Sequence, residues 1–323
     1  MKALHLFLAI CISLSTAFAQ SNIDSLLKAQ KKLKQQETES QLLLMGENLY
    51  ALGVAYEDKG DYPKSIDFLN QALQLFTVKK ELSGIAKTYV HLALVHREQG
   101  KNELSFEFYK KAMGYYETLK DNDGIIECLI GQGVISKNLS DYSRAHKLFS
   151  QSLNIAQKTG NDAQLAQIYR NIGIVYRYQG RHKQELEYHL KALKMHQKLG
   201  KQVPIGYSYG GVGNAYFSQG NYPAAIANQF KALAIFEKLG RQPNVAYTYN
   251  ALGNIYTEQK KYKLALDYYT KSVKIRQNSK DKPGTAYVLE RMGYLYGLQG
   301  KVDKARQYLK QALKTTCSPP SIL

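Results

Sequence analysis

From Met45 to Thr316 the sequence repeats itself every forty residues, seven times over, without an insertion. One column reads Gly53, Ala93, Gly133, Gly173, Gly213, Gly253 and Gly293. Three residues on come Tyr56, His96, Ser136, Tyr176, Tyr216, Tyr256 and Tyr296. A later column is small throughout: Ala72, Ala112, Ser152, Ala192, Ala232, Ser272 and Ala312. A period of this length confines the chain to a stack of like units, because one unit alone cannot bury its own apolar face.

Each unit reads as two helices. Ile205, Tyr209, Val212, Gly213 and Tyr216 fall on one face of a first helix, and Ala225, Ile226, Gln229, Ala232, Leu233 and Phe236 on one face of a second. A glycine inside a helix costs ~1 kcal/mol against alanine, so the Gly213 column implies that a neighbouring backbone comes close. Gly220 suits a left-handed residue that stops the first helix; Asn221 and Pro223 suit a cap and an early proline in the next. The expected fold is all-α, an α-α superhelix of about seven helical hairpins, with repeats near 45–84, 85–124, 125–164, 165–204, 205–244, 245–284 and 285–316. No composition change marks a domain boundary within them.

Tyr249, Leu252-Gly253, Tyr256, Ala265, Tyr269 and Ser272 together resemble the tetratricopeptide repeat (TPR). The common unit has roughly 34 residues; this longer one is similar to repeats of kinesin light chains, of spindle-orientation scaffolds and of bacterial regulators. The pattern weakens in the third copy, where Ser136, Leu139 and Ser140 replace the expected residues, and in the second at His96 and Asn102.

Ahead of the array, Met1-Lys2, the apolar run Ala3 to Leu14 and Ala17-Phe18-Ala19 read as a secretory signal peptide over 1–19. Cys11 follows Ile10, which is not a small residue, so lipoprotein processing is disfavoured. Residues 20–44 are polar and lysine-rich and fall where a second helix belongs, as an N-terminal capping helix; 317–323 form a short tail. The expected location is bacterial and exported, periplasmic or extracellular, with no transmembrane segment once the signal is cleaved.

The formal charge of +18 falls to +17 on losing Lys2, and Lys260 to Lys314 alone carries fourteen basic residues against four acids. That excess is either a solvated outer face or a surface for anionic partners. An exported chain makes nucleic acid a poor partner, and acidic peptide, anionic glycan or membrane surface better ones.

No nucleophile, zinc-protease or phosphate-loop motif occurs. His182, His189 and His196 stand seven residues apart on one helix, ~10 Å of rise, too far to share an ion. They replace Tyr62, Leu69 and Phe76 of the first copy, which points to packing. The expectation is a binding scaffold with no enzymatic activity, cofactor or metal.

A second stripe on the first helices, Tyr207, Gly210, Asn214 and Phe217, faces away from the core. Early copies place Val54, Leu94 and Val134 there; later ones place Arg170, Ile174, Arg177, Asn214, Asn250 and Asn254, with Tyr207, Tyr247 and Tyr287 at one column. The TPR resemblance implies that this stripe lines the concave groove, where asparagines matching Asn171, Asn214 and Asn254 bind peptide backbone. Asparagine offers both donor and acceptor, and Arg170 and Arg177 suit carboxylates. The expected function is a scaffold that holds a peptide or protein segment, with acidic segments among the candidates. The alternative is the sensory part of a bacterial signal-transduction protein, a histidine kinase or transcriptional regulator, without its output module.

Overall fold

The computed structural model describes residues 22–31 and 39–317, and every regular element among them is an α-helix. The signal peptide expected at 1–19 and the tail from Ser318 lie outside the described residues. None of the described helices is long and apolar enough to cross a membrane.

The chain divides at Gly160 into two compact units, a division that no change of composition announces. Unit 1 begins with α1 (22–31) and continues with α2 (Glu39–Asp58), α3 (Tyr62–Val78), α4 (Leu82–Glu98), α5 (Asn102–Leu119), α6 (Asn122–Asn138) and α7 (Tyr142–Thr159). Unit 2 comprises α8 (Asp162–Tyr178), α9 (His182–Leu199), α10 (Gln202–Ser218), α11 (Tyr222–Lys238), α12 (Gln242–Glu258), α13 (Tyr262–Asn278), α14 (Lys282–Leu298) and α15 (Val302–Cys317). Within each unit the first helix of a hairpin packs on its own second helix, on the preceding second helix and on the neighbouring first helices. Each unit is thus a stack of antiparallel hairpins, an α-α solenoid. The first hairpin starts at Glu39, ahead of residue 45, and α1 lays a fully buried Ile23 against Leu52 and Tyr56 of α2.

Helix length is metered by backbone chemistry. A residue of positive φ recurs every twentieth position from 60 to 300: eight glycines, and Lys80, Lys120, Ser140, Lys260 and Lys280. At the first of them Gly60 N–H bonds Glu57 C=O (2.8 Å) and Asp61 N–H bonds Tyr56 C=O (2.9 Å), and the same pair of bonds recurs at Gly220 and Asn221. That left-handed closure satisfies the last carbonyls of each first helix. The next helix opens at once, with Asp61, Asp121, Asp141, Asn161, Asn221 and Asp281 each accepting the amide three residues on.

The glycine column has a different cause from the one its sequence suggests. What approaches is a side chain of the second helix, sixteen residues on. A methyl group at Gly53 would stand 2.6 Å from Leu69, at Gly133 2.5 Å from Phe149, at Gly213 2.9 Å from Gln229 and at Gly253 2.5 Å from Tyr269. The first helix is hollowed so that a large residue of the second can lie across it. Leu69, Phe149, Tyr269 and the small column beside them are buried to 2 % exposure or less, the density expected of a close-packed interior.

Candidate ligand-binding groove

In unit 2 the outward stripe of the first helices borders two adjoining hollows of about 510 and 370 Å³, which share Arg177, Asn214, Tyr247 and Arg276 as walls. The larger is completed by Phe217, Asn250, Asn254 and Tyr287, the smaller by Arg170, Ile174, Tyr207 and His189. A third hollow of about 280 Å³ continues past Arg170 and Tyr207. The fold therefore brings Arg170, Arg177, Tyr207, Asn214, Tyr247, Asn250, Asn254 and Tyr287 to one surface. Asn171 is apart from them. It is 4 % exposed, lines none of these hollows, and buries an amide nitrogen without a protein partner. Its column holds Ala51, Gly131, Gly211 and Ala251, but also His91 and Arg291.

The floor comes from the second helices, through the gaps that the glycines leave. Gln229 Nε2 donates to Asn214 Oδ1 (2.8 Å) and to the carbonyl of Gly210 (3.2 Å). Tyr269 OH donates to Asn254 Oδ1 (2.8 Å) and meets Thr257 Oγ1 at 3.2 Å. Both asparagines thus have their carbonyl oxygens held from below, which leaves the amide N–H groups on the open side; Asn214 Nδ2 meets only the hydroxyl of Tyr247, at 3.4 Å. One turn before Asn254, Asn250 is 5 % exposed and its Oδ1 has no partner. Successive turns of α12 therefore bring an unpaired, enclosed acceptor and an unbonded amide donor to the wall of the larger hollow.

The smaller hollow is cationic. Burial lowers the pKa of the Arg170 guanidinium. His189 is 2 % exposed, and burial, then the charges of Arg177 and Arg170, push its imidazole down to about 3, so it is neutral. Arg276 reaches the hollows from α13, with its charge matched by Asp281.

Sequence reasoning passed over Gln229, Tyr269 and Arg276 and assigned His189 to packing. The available signal was polarity where other copies are apolar: His189 and Gln229 stand in the column of Leu69 and Phe149, and Arg276 in that of Phe76 and Phe236, which also holds His196.

The tetratricopeptide-repeat profile matches residues 46–77, 84–158, 133–198, 205–278 and 259–317. The sequence has no significant match among curated proteins. Similar solved structures include the apo quorum sensor NprR of B. thuringiensis, 17% identical, with a TM-score of 0.72 over 93% of this chain and 84% of that one. The Rap conjugation gene regulator of plasmid pLS20, in complex with the Phr* peptide, is 18% identical, with a TM-score of 0.69 over 86% and 75%. A Rap protein complexed with Competence and Sporulation Factor is 16% identical, with a TM-score of 0.65 over 93% and 98%. At these identities the likeness concerns the fold, and the repeat matches cover most of the described residues: the chain belongs to the tetratricopeptide-repeat family.

Proposed function

We propose that this protein is an exported scaffold, without catalytic activity, that holds an extended, acidic peptide or protein segment in the hollows of unit 2. The observation that carries this reading is the unused acceptor of Asn250 beside the outward amide of Asn254, one helical turn apart. A buried acceptor left unpaired is costly, and the alternating N–H and C=O of an extended backbone supply what both groups lack. Tyr207, Tyr247 and Tyr287, all more than 40 % exposed, add apolar area at little entropic cost. Arg170, which has no acidic partner among the described residues, favours an acidic ligand, although Arg177 is coupled to Glu185 and Arg276 to Asp281. Similar folds include a conjugation gene regulator solved with a bound peptide. Export rests on the leader read at residues 1–19.

Crosslinking in the native envelope fraction, with wild type and the Asn214→Ala/Asn254→Ala variant side by side, tests the site. The double variant is expected to lose the captured partner, and undiminished capture rejects this groove. Mass spectrometry of the purified native protein tests export: a mature chain starting at Gln20 is expected, and an intact Met1 in the cytosolic fraction rejects it.

A second reading, the ligand-sensing part of a signalling protein, is favoured by the resemblance to a quorum sensor. It requires an output module, encoded in frame or as a neighbouring partner. A gene neighbourhood with neither ends it.

A further inference from the structure

We propose that the hairpin tips at 258–264 and 298–304 form a lysine-rich, partly apolar edge that docks unit 2 on an anionic lipid bilayer. None of these residues lines the hollows, so the inference stands apart from the peptide-binding role.

α13 packs on α14, and α12 touches α14, so the tips of two successive hairpins stand side by side. They carry five exposed lysines, Lys260, Lys261, Lys263, Lys301 and Lys304, against two acids, Glu258 and Asp303. The ion pairs of these hairpins engage other cations, Lys271, Arg276 and Arg306. Between the lysines stand Leu264, Leu298 and Val302, which are 45, 47 and 62 % exposed. Leu298 occupies a column that holds Asp58, Glu98 and Glu258 in other copies. The corresponding tips of unit 1, at 58–64, 98–104 and 138–144, hold four cations against five acids.

Helix chemistry prefers other residues at this edge. Lys260 holds φ at 59° where Gly220 and Gly300 hold 74° and 71°, and a side chain is strained there. Lys261 is the cap residue of α13 and makes no side-chain cap bond, whereas Asn221 in the same column accepts the Ala224 amide at 3.3 Å. A cation at a helix start also opposes the helix dipole. Lys301 stands at the same place before α15. Local rules broken together at one exposed edge point to a use other than folding.

The chemistry of the set selects the occupant. All five cations are lysines, compact charges on flexible stems that suit a diffuse layer of headgroups; the rigid fork that arginine offers to a single carboxylate or phosphate is absent. The three exposed apolar side chains are aliphatic, so they offer no stacking face to a nucleic-acid base. Aliphatic side chains of this kind enter the interfacial zone of a bilayer while the lysine heads stay among the headgroups.

The test is cosedimentation of the full mature chain with vesicles of phosphatidylcholine, alone or mixed with phosphatidylglycerol. Retention is expected on the anionic vesicles only, and is expected to fall as salt is raised. Each variant takes the residue of another copy, which suits it to the fold: Lys260→Gly and Lys261→Asn follow Gly220 and Asn221, and Leu298→Asn and Val302→Asn follow Asn138 and Asn102. Each lysine removed is expected to weaken binding about fivefold, and Leu298→Asn/Val302→Asn together about tenfold. Lys260→Gly also relaxes its turn, so lost binding with an unlowered melting temperature reports charge rather than folding. Lys238→Asn/Arg241→Asn removes two charges at the opposite edge, 238–244, and is expected to change binding by no more than about twofold. Equal losses from the two charge pairs overturn this edge in favour of general basicity. Anionic binding indifferent to Leu298→Asn/Val302→Asn overturns the bilayer as occupant and leaves a soluble polyanion. Equal retention on neutral and anionic vesicles, or retention on neither, overturns the proposal outright and leaves the peptide groove untouched.

Discussion

The two units are built from the same hairpin, yet they finish their floors differently. In unit 1 the residue that lies across the first helix is Leu69, Tyr109 or Phe149, and the stripe above is Val54, Leu94 and Val134. In unit 2 the same places hold His189, Gln229 and Tyr269 under Ile174, Asn214 and Asn254. Charge differs less sharply: the stripe of unit 1 mixes Glu47, Glu57 and Glu127 with Lys87, Arg97 and Lys137, Glu57 meeting His91 at 2.7 Å, whereas that of unit 2 opens with Arg170 and Arg177. Buried polar atoms without protein partners occur in both units, at Ser65 and His96 in unit 1 and at His189, Gln229 and Asn250 in unit 2, but among the described residues only unit 2 has them in the floor column. The frame is the same in both units, and the difference lies in a few side chains.

The comparison is broken most readily at the floor column. Phe149→Ala in unit 1 empties a fully buried aromatic site and is expected to cost ~3–5 kcal/mol in urea unfolding. His189→Leu in unit 2 removes two bare nitrogens from the interior and is expected to be neutral or to gain ~1–2 kcal/mol. A large loss from His189→Leu would place His189 with Phe149 as a packing residue.

The next effect is on acid stability. In the folded chain the His189 pKa is pushed down to about 3, against about 6.5 unfolded. On acidification the unfolded chain therefore takes up the proton first. This contribution to stability is present above about pH 6.5 and is lost toward pH 3, at up to ~1.4 kcal/mol per pH unit. His189→Leu is expected to flatten urea midpoints between pH 6 and 4, and unchanged slopes would sink the idea. His196, lowered by burial and then by Arg170, leaves a residual slope of the same sign. Glu185 acts in the opposite sense: burial raises its pKa, so its contribution declines as pH rises from the ordinary carboxylate range.

The smallest effects are the sharpest control, because they should not differ between units. Lys80 and Lys120 in unit 1 and Lys260 and Lys280 in unit 2 hold φ between 55° and 59°. Each Lys→Gly change is expected to stabilise by ~0.5–1 kcal/mol, since glycine meets no Cβ penalty there. Thermal melts of the four variants should give like shifts, with peptide retention unchanged.

The hairpins were legible because their determinants are local and recur: a stop every twenty residues, a cap after it, and the small and large columns in register. The outward stripe was legible for the same reason, and Arg170, Asn214 and Asn254 reach the hollows from it. Asn171 stands one residue, about 100° of helix, from Arg170, and that rotation carries it into the interior. The floor was not legible. Gln229 meets Asn214 across two helices, a contact that no single-helix periodicity encodes, and a polar residue in an apolar column reads first as a packing variant.

The glycine column makes the first helix a socket. Opposite Gly53, Gly133, Gly173, Gly213 and Gly253 sit leucine, phenylalanine, histidine, glutamine and tyrosine, five inserts of different shape and polarity. The twenty-residue spacing of the positive-φ turns is the same across all five. Selectivity in such a chain can be rewritten one insert at a time while the frame stays constant.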